Sequence, residues 1–325
     1  MRFSMNSSGR LDSLRDAFIK NAITFTLGVT INCINGVFVY IYFESQVFQR
    51  DPRYILFIHL VINDMIMLTF SVVLHVLTYT IRALGFIPCS IIIIILNTTN
   101  GNSPMNLAGM AVERYIAVCH PLHHVQICTV QRAHVLIALI WGISLIPSFT
   151  NIIILFNTKP LSAILQPVPC YPSFLFNTQH HKVHRLFVQV FGFSFVFLTL
   201  VITYLKVFCA AQAVSGSNRD STRNARNTIL LHGVQLLICM LSFISPFVNL
   251  HLVTLWPKKR TTILFNSYLL TNVLPRLLSP LIYGVRDKKF SSHIRLHFCS
   301  KCCNTAGKNV NNMTELQRRP KNILH

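Results

Sequence analysis

The sequence has few charged residues for its length, and acidic residues are the scarcest. Only 12% of the 325 residues are charged, and Asp and Glu number 9 against 29 Lys and Arg. Together with 52% hydrophobic residues, this scarcity excludes an ordinary soluble globular protein and predicts a membrane protein. A carboxylate is costly to bury in an apolar segment, so the two acids in or at the end of such segments, Asp64 and Glu113, are functional candidates.

Seven apolar stretches are long enough to cross a bilayer as helices, which requires roughly 20 residues each. They lie at about 22–43, 54–80, 87–112, 134–157, 186–210, 227–254 and 262–285. The sequence therefore predicts an all-α membrane protein with a seven-transmembrane helix bundle. The bundle is expected over residues 22–285, with an outer tail at 1–21 and a cytoplasmic helix and basic tail at 286–325.

No cleavable signal is apparent, because residues 1–20 are polar and charged, and the first span is expected to act as its own targeting signal. The Lys and Arg bias favours an extracellular N-terminus, although Lys258, Lys259 and Arg260 form an outer cluster that weakens it. The net charge of +20 is scattered over the loops. It indicates attraction to anionic membrane lipid and no nucleic-acid partner.

Most of the cysteines lie away from the side of the membrane that is predicted to be extracellular. With the N-terminus outside, only Cys89 and Cys170 of the ten cysteines lie near the oxidising face, so we expect a disulfide between them. Two free thiols are the alternative. Asn6 begins the one glycosylation sequon that this topology places outside and beyond the spans.

The chain after the last span predicts a short amphipathic helix on the inner surface, followed by three cysteines suited to palmitoylation. These are Cys299, Cys302 and Cys303. A zinc site from His293, His297, Cys299 and Cys302 is the competing interpretation, but its spacing is unlike the usual paired CxxC motifs. We therefore expect no metal site and no cofactor.

The third span ends in an adjacent acid and base, Glu113 and Arg114, followed by Tyr115. Such a pair at the membrane edge can be neutral when closed and can free a cation when broken, which suits a switch. A solvated interfacial ion pair is the simpler alternative. Other short motifs lie along the spans, at Asn35, Asp64, Cys89, Trp141, Tyr204, and at Ser279, Pro280 and Tyr283. Their order and spacing favour the switch, through the resemblance that follows from them.

In this order and spacing the motifs resemble those of rhodopsin-like G-protein-coupled receptors, and among them fish-type odorant-receptor-like proteins. The resemblance covers about residues 20–300 and is most specific at 51–60 and 225–232. It implies that Glu113 holds Arg114 at rest, that movement of the sixth span exposes Arg114 to a G protein, and that Tyr204 and Tyr283 stabilise the open form. The chain departs from the family where Ser279 replaces an Asn and where the sixth span lacks a Cys-Trp-x-Pro motif.

Arg276 precedes Ser279 and Pro280 by three and four residues and therefore shares their helix face. The resemblance turns this face toward Asp64 and Asn35. We expect Arg276 to pair with Asp64 and to supply the positive charge that a sodium ion often provides in related receptors. Snorkelling of Arg276, or contact with backbone carbonyls, is the alternative.

The outer half of the bundle is the expected ligand site. In the third span a polar stripe with Asn97, Asn100 and Pro104 is expected to face the bundle interior, although helix packing explains it equally well. Leu96 stands where related amine receptors have an Asp, so a neutral or anionic molecule is expected. Aromatic residues are expected to line the pocket, with lipid contact as the alternative, and they are Phe191, Phe195, Phe247 and Tyr268.

Two other classes of protein deserve weighing. The histidines at 120–124 match a box of membrane di-iron desaturases, but a single span separates them from the histidines at 180–184, so the clusters lie on opposite faces. A seven-span transporter using Asp64 and Arg276 is the other alternative, although no internal repeat is visible. The sequence thus predicts a non-enzymatic plasma-membrane chemosensory receptor that binds a small molecule and activates a heterotrimeric G protein, with the stimulatory olfactory type expected.

Overall fold

The computed structural model describes residues 14–80, 84–164, 166, 170, 175–214, 241, 244, 245, 247–249, 251–278, 280, 290, 292 and 293. The predicted positions Asn6, Ser279, Tyr283, Cys299, Cys302 and Cys303 lie outside these residues, as does the 225–232 segment. The chain divides into two compact units, Met1–Pro280 and Leu281–His325. In the second unit, the described residues 290, 292 and 293 are helical.

Helices form every regular element in the described part of the chain. The long helices are α1 (Leu14–Glu44), α3 (Pro52–Thr80), α4 (Phe86–Cys119), α6 (Val130–Thr158) and α8 (Gln179–Val214). Short helices connect them, at α2 (Gln46–Gln49), α5 (Pro121–Ile127) and α7 (Leu161–Ile164). The last span contains a 3-10 turn (Pro257–Lys259), α9 (Arg260–Tyr268) and a π-helical turn (Leu269–Val273).

Local sequence signals set several helix starts. Pro52 opens α3 and Pro121 opens α5, where the missing amide hydrogen costs nothing. Thr129 caps α6, and its side-chain oxygen accepts from the Arg132 amide at 3.3 Å. These starts place α5 as a short helix between the end of α4 and the start of α6. We call this end of the bundle, at Glu113, the inner end, and the opposite end, at Cys89, the outer end.

Four described helices are long and apolar enough to cross a membrane, judged by length and composition. They are Phe18–Glu44, Pro52–Leu77, Val130–Thr158 and Gln179–Ala210. The 34-residue α4 is not among them, since its middle carries the polar run from Asn97 to Ser103. This helix packs against α3, α6 and α8 and is therefore central in the bundle. Thr98, Thr99, Asn102 and Ser103 of the polar run are buried against protein there, where a membrane helix tolerates them.

Close packing of α1 on α3 depends on a glycine. A Cβ atom at Gly28 would lie 2.6 Å from Cγ2 of Val72, and the β-branched Val side chain has little freedom to move away. Nearby, Ile31, Leu68 and Val273 form a buried cluster that joins α1, α3 and the last span. Gly28 thus allows α1 and α3 to pack closely in this part of the bundle.

We expect Gly28→Ala to destabilise the receptor relative to Gly36→Ala, the matched variant on the same helix. A Cβ at Gly36 meets nothing within 4 Å. The only expected effect of Gly36→Ala is therefore the higher helix propensity of Ala, which adds up to about 1 kcal/mol to the free energy of unfolding. Overpacking at Gly28 should cost about 1–3 kcal/mol. Thermal unfolding of both detergent-solubilised variants measures the difference, and equal unfolding temperatures would contradict the packing argument.

Candidate functional site

The Glu113 carboxylate lies at the inner end of α4 and contacts the loop helix α5. Its Oε1 atom is 3.0 Å from Nε2 of His124, and the two side chains are 8% and 25% exposed. His124 is thus an ion-pair partner of Glu113 that the sequence did not predict. The contact of Glu113 with Arg114 stays a prediction.

His124 is not among the predicted switch residues, although the sequence contains a signal for it. Pro121 at the first position of a short helix places His124 one turn further along. Tyr115 joins the start of the same helix, since its hydroxyl lies 3.4 Å from Nε2 of His120 and the two rings meet edge-on. Arg114 and Tyr204 are both half-buried, on α4 and α8. Two residues of the predicted switch, Glu113 and Tyr115, thus contact α5.

The far end of α5 is tied to α6 by Arg132. Its Nη1 atom donates to the carbonyls of Gln126 at 3.2 Å and Ile127 at 3.0 Å. Burial and the negative charge of Glu113 raise the pKa of the Cys128 thiol, and Arg132 partly opposes them. The thiol therefore stays protonated at neutral pH, and the Glu113 charge is felt across this inner cluster.

A cavity of about 150 Å³ adjoins the cluster. Pro52 and Leu56 line it from α3, and Val112 and Ile116 line it from α4. Its ionisable lining residues are Glu113, Cys128 and Arg132. Glu113 thus has open space beside it.

The polar centre of the bundle is a buried charge pair. Nε of Arg276 lies 3.5 Å from Oδ1 of Asp64, and each side chain is 3% exposed. Ser103 donates to the same Asp64 oxygen at 3.0 Å. The Arg276 guanidinium also donates to the Thr271 carbonyl at 3.2 Å and to Oδ1 of Asn100 at 3.3 Å. Arg276 thus lies beside Asp64, as expected, and it also contacts a backbone carbonyl, which was the alternative.

An amide network beside this pair joins α3 to α4. The Asn63 side chain donates to the Thr99 carbonyl at 2.9 Å and to Ser103 Oγ at 3.0 Å, and it accepts from Asn102 at 3.1 Å. Asn106 donates to the Leu56 carbonyl at 2.9 Å. The buried polar face of α4 thus runs through Thr99, Asn102, Ser103 and Asn106. The predicted stripe of α4 is a different one, although these residues share a helix face by the same spacing.

The predicted stripe of α4 is only partly buried. Asn97 and Asn100 are exposed, whereas Pro104 is buried. Asn100 nevertheless faces the last span, because it accepts the hydrogen bond from Arg276. Asn35 is fully buried in α1, and its amide has no hydrogen-bond partner among the described residues.

The outer end contains the predicted disulfide. Cys89 in α4 is bonded to Cys170, with their Cα atoms 5.6 Å apart and both residues buried. Ile93 and Leu155 pack in the same apolar cluster. This link anchors the segment after α7 to the outer end of α4.

The candidate ligand residues do not form one group. Tyr268 is half-buried and contacts Ser71 through its hydroxyl and His75 through its ring, with centroids 5.0 Å apart. Leu96 is also half-buried. By contrast, the three phenylalanines Phe191, Phe195 and Phe247 are 66%, 55% and 48% exposed. The buried face of α8 consists of other residues, namely His181, Val196, Leu200, Thr203 and Val207.

The two histidine clusters have separate structural contacts. Near the start of α8, His181 is fully buried, with Nε2 2.9 Å from the Asn151 carbonyl oxygen, and His184 Nδ1 lies 3.0 Å from Asn151 Oδ1. The inner cluster instead contacts Tyr115 and Glu113. Each histidine cluster therefore contacts residues at its own end of the bundle.

Long apolar helices around a buried charge pair, with a second ionic contact at one end, define a multi-pass membrane protein of the helix-bundle class. The sequence profile described as "7 transmembrane receptor (rhodopsin family)" matches residues 34–283. The chain therefore belongs to the rhodopsin family of seven-transmembrane receptors. This confirms the predicted family and seven-helix fold, and it identifies the chain as a receptor and not an enzyme.

Similar proteins include odorant receptors. Odorant receptor 131-2 of Danio rerio is 29% identical over 302 residues, which covers 91% of this chain and 92% of that protein. Olfactory receptor 51E1 of Homo sapiens is 26% identical, covering 75% of this chain and 78% of that protein. Human olfactory receptor 52A1 is 27% identical, with coverage of 70% and 73%. The family and these relatives give no support to the transporter alternative.

Proposed function

We propose that this chain is a chemosensory receptor of the plasma membrane, with an extracellular N-terminus, that binds a small molecule and activates a heterotrimeric G protein. The observation that carries the proposal is the similarity to a fish odorant receptor over 91% of the chain. Coupling to the stimulatory, olfactory type of G protein is the finer part of the proposal. Coupling of this kind would raise cyclic AMP in the cell.

The ligand site is proposed for the outer half of the bundle, between α4 and the last span. Asn97 and Asn100 are exposed on α4, and Asn100 contacts Arg276 of the last span, which supports an accessible surface between the two helices. Tyr268 lies one π-helical turn before the segment that carries Arg276. Because Leu96 offers no carboxylate to a cationic amine, a neutral or anionic ligand fits best.

The proposed switch has an inner and a central part. Glu113, Arg114 and Tyr115 form the inner part, which would meet the G protein when the sixth span moves. Tyr204 and Tyr283 are proposed to stabilise the open form. The ion pair of Asp64 with Arg276 forms the central part, to which the buried Asn35 is also proposed to belong. This polar centre is proposed to connect the ligand site to the inner end as a two-state element.

Arg114→Ala is expected to lower ligand-stimulated cyclic AMP at least about tenfold, because the proposed cationic contact with the G protein is lost. The assay uses cells that express the receptor at the surface, measured by an N-terminal epitope tag. Amino acids, nucleotides, bile acids and amines serve as ligands.

Arg15→Ala is the matched control, since Arg15 is an exposed arginine near the start of α1. At equal surface expression it should respond as the unmodified receptor does. A full response from Arg114→Ala would contradict the proposed switch. Uptake of a ligand into proteoliposomes without nucleotide exchange on a G protein would overturn the receptor function itself.

A further inference from the structure

The Glu113 carboxylate lies between two basic side chains on different elements. His124 of α5 is in direct contact, 3.0 Å away, and Arg114 is the next residue of α4. The two basic groups therefore compete for one carboxylate.

His124 is fixed in place by its helix. At the start of α5, His120 contacts Tyr115 of α4. At the end of α5, Arg132 of α6 donates to the carbonyl oxygens of Gln126 and Ile127. The Cys128 amide also donates to the His124 carbonyl at 2.7 Å. These contacts hold the backbone of α5, and the adjoining cavity gives the Glu113 side chain space to rotate.

Among the described residues, the other ionisable groups near Glu113 lie on α6, on the connection between α5 and α6, and on α5 itself. Arg132 from α6 remains positive. The raised pKa of Cys128, in the connection between α5 and α6, keeps this thiol neutral. From α3, the cavity is lined by the uncharged Pro52 and Leu56. On α5 itself, His120 contacts Tyr115 and His123 is exposed.

We propose that His124 is a positioning residue of the inner switch, whose protonated ring takes the Glu113 carboxylate from Arg114 and thereby favours activation of the G protein. A histidine changes its charge between about pH 5 and 8. Neutral His124 offers Glu113 only a hydrogen bond, and the full attraction of Glu113 then acts on Arg114. The inference rests on the proposed coupling to a G protein. It predicts that this coupling depends on the cytoplasmic pH.

The test is ligand-free nucleotide exchange on a purified stimulatory G protein, with the full-length receptor in nanodiscs that leave its inner face open to buffer. We expect receptor-dependent exchange to rise at least about fivefold between about pH 8 and pH 6. His124→Gln keeps a hydrogen-bond donor without a titrating charge and should show a flat profile. His124→Arg carries a permanent charge and should be flat at the high level.

His123→Gln is the matched control, because it removes an exposed histidine from the same helix and should keep the wild-type profile. The pH response of the G protein alone is subtracted throughout. A His124→Gln variant as pH-dependent as the wild type would overturn the role of His124 while leaving the receptor function intact. If the wild type and Arg114→Ala gave the same exchange as empty nanodiscs, the proposed function would fail, and this inference with it.

Discussion

Arg276→Met is expected to destabilise the receptor by about 3 kcal/mol, because it leaves the Asp64 carboxylate buried without its cationic partner. Both side chains are 3% exposed, so water cannot replace the lost charge without rearrangement. Ser103 remains as a hydrogen-bond donor to Asp64, which limits the loss but does not neutralise the charge. Thermal unfolding in detergent and the fraction of receptor at the cell surface measure the effect.

The double variant Asp64→Asn/Arg276→Met should recover most of this stability, since it removes both charges together. Arg185→Met is the control, because Arg185 is exposed on α8. A double variant no more stable than Arg276→Met would show that the two side chains act independently.

The same residues predict the response to sodium. In the wild type, the guanidinium already supplies the positive charge beside Asp64, so exchanging sodium chloride for choline chloride should leave the unfolding temperature unchanged. Arg276→Met removes that charge and should become more stable in sodium than in choline. Specific stabilisation of the wild type by sodium would contradict the proposal that Arg276 takes the place of the ion.

Loss of the outer disulfide should have the second large effect. Cys89 and Cys170 are separated by 81 positions, and a cross-link over a loop of this length is expected to contribute about 4 kcal/mol by restricting the unfolded chain. We expect Cys89→Ser/Cys170→Ser to unfold at a markedly lower temperature and to reach the cell surface poorly. The apolar cluster around Ile93 and Leu155 would also lose its anchor.

Cys33→Ser is the control for removing a cysteine as such, because Cys33 is free and exposed in α1. It should unfold as the wild type does. If the double serine variant were as stable as Cys33→Ser and equally abundant at the surface, the disulfide would have no structural role.

Much of the fold followed from the sequence because hydropathy reports directly on burial in a bilayer. The described helices extend beyond the apolar stretches. For example, α8 begins at Gln179 rather than at 186, and α4 continues to Cys119 rather than ending at 112. Backbone hydrogen bonding does not stop where the side chains become polar, so hydropathy locates the membrane segment better than the end of the helix.

The candidate site was predictable only in part. Cys89 and Cys170 could be paired from topology, since no other cysteines were expected on the oxidising side. The approach of Arg276 to Asp64 followed from a helix face together with a family resemblance. The amide network of Asn63, Asn102 and Ser103 was not predicted, because the polar run from Asn97 to Ser103 does not say which of its faces meets another helix.

The sequence by itself determined a membrane bundle with a scarce set of charges, since few acids in a long apolar chain leave few places where charge can matter. Only the tertiary structure decided which groups those charges meet. The fold of α5 brings His124 to Glu113 across eleven positions, a contact that depends on how two helices pack and not on local sequence.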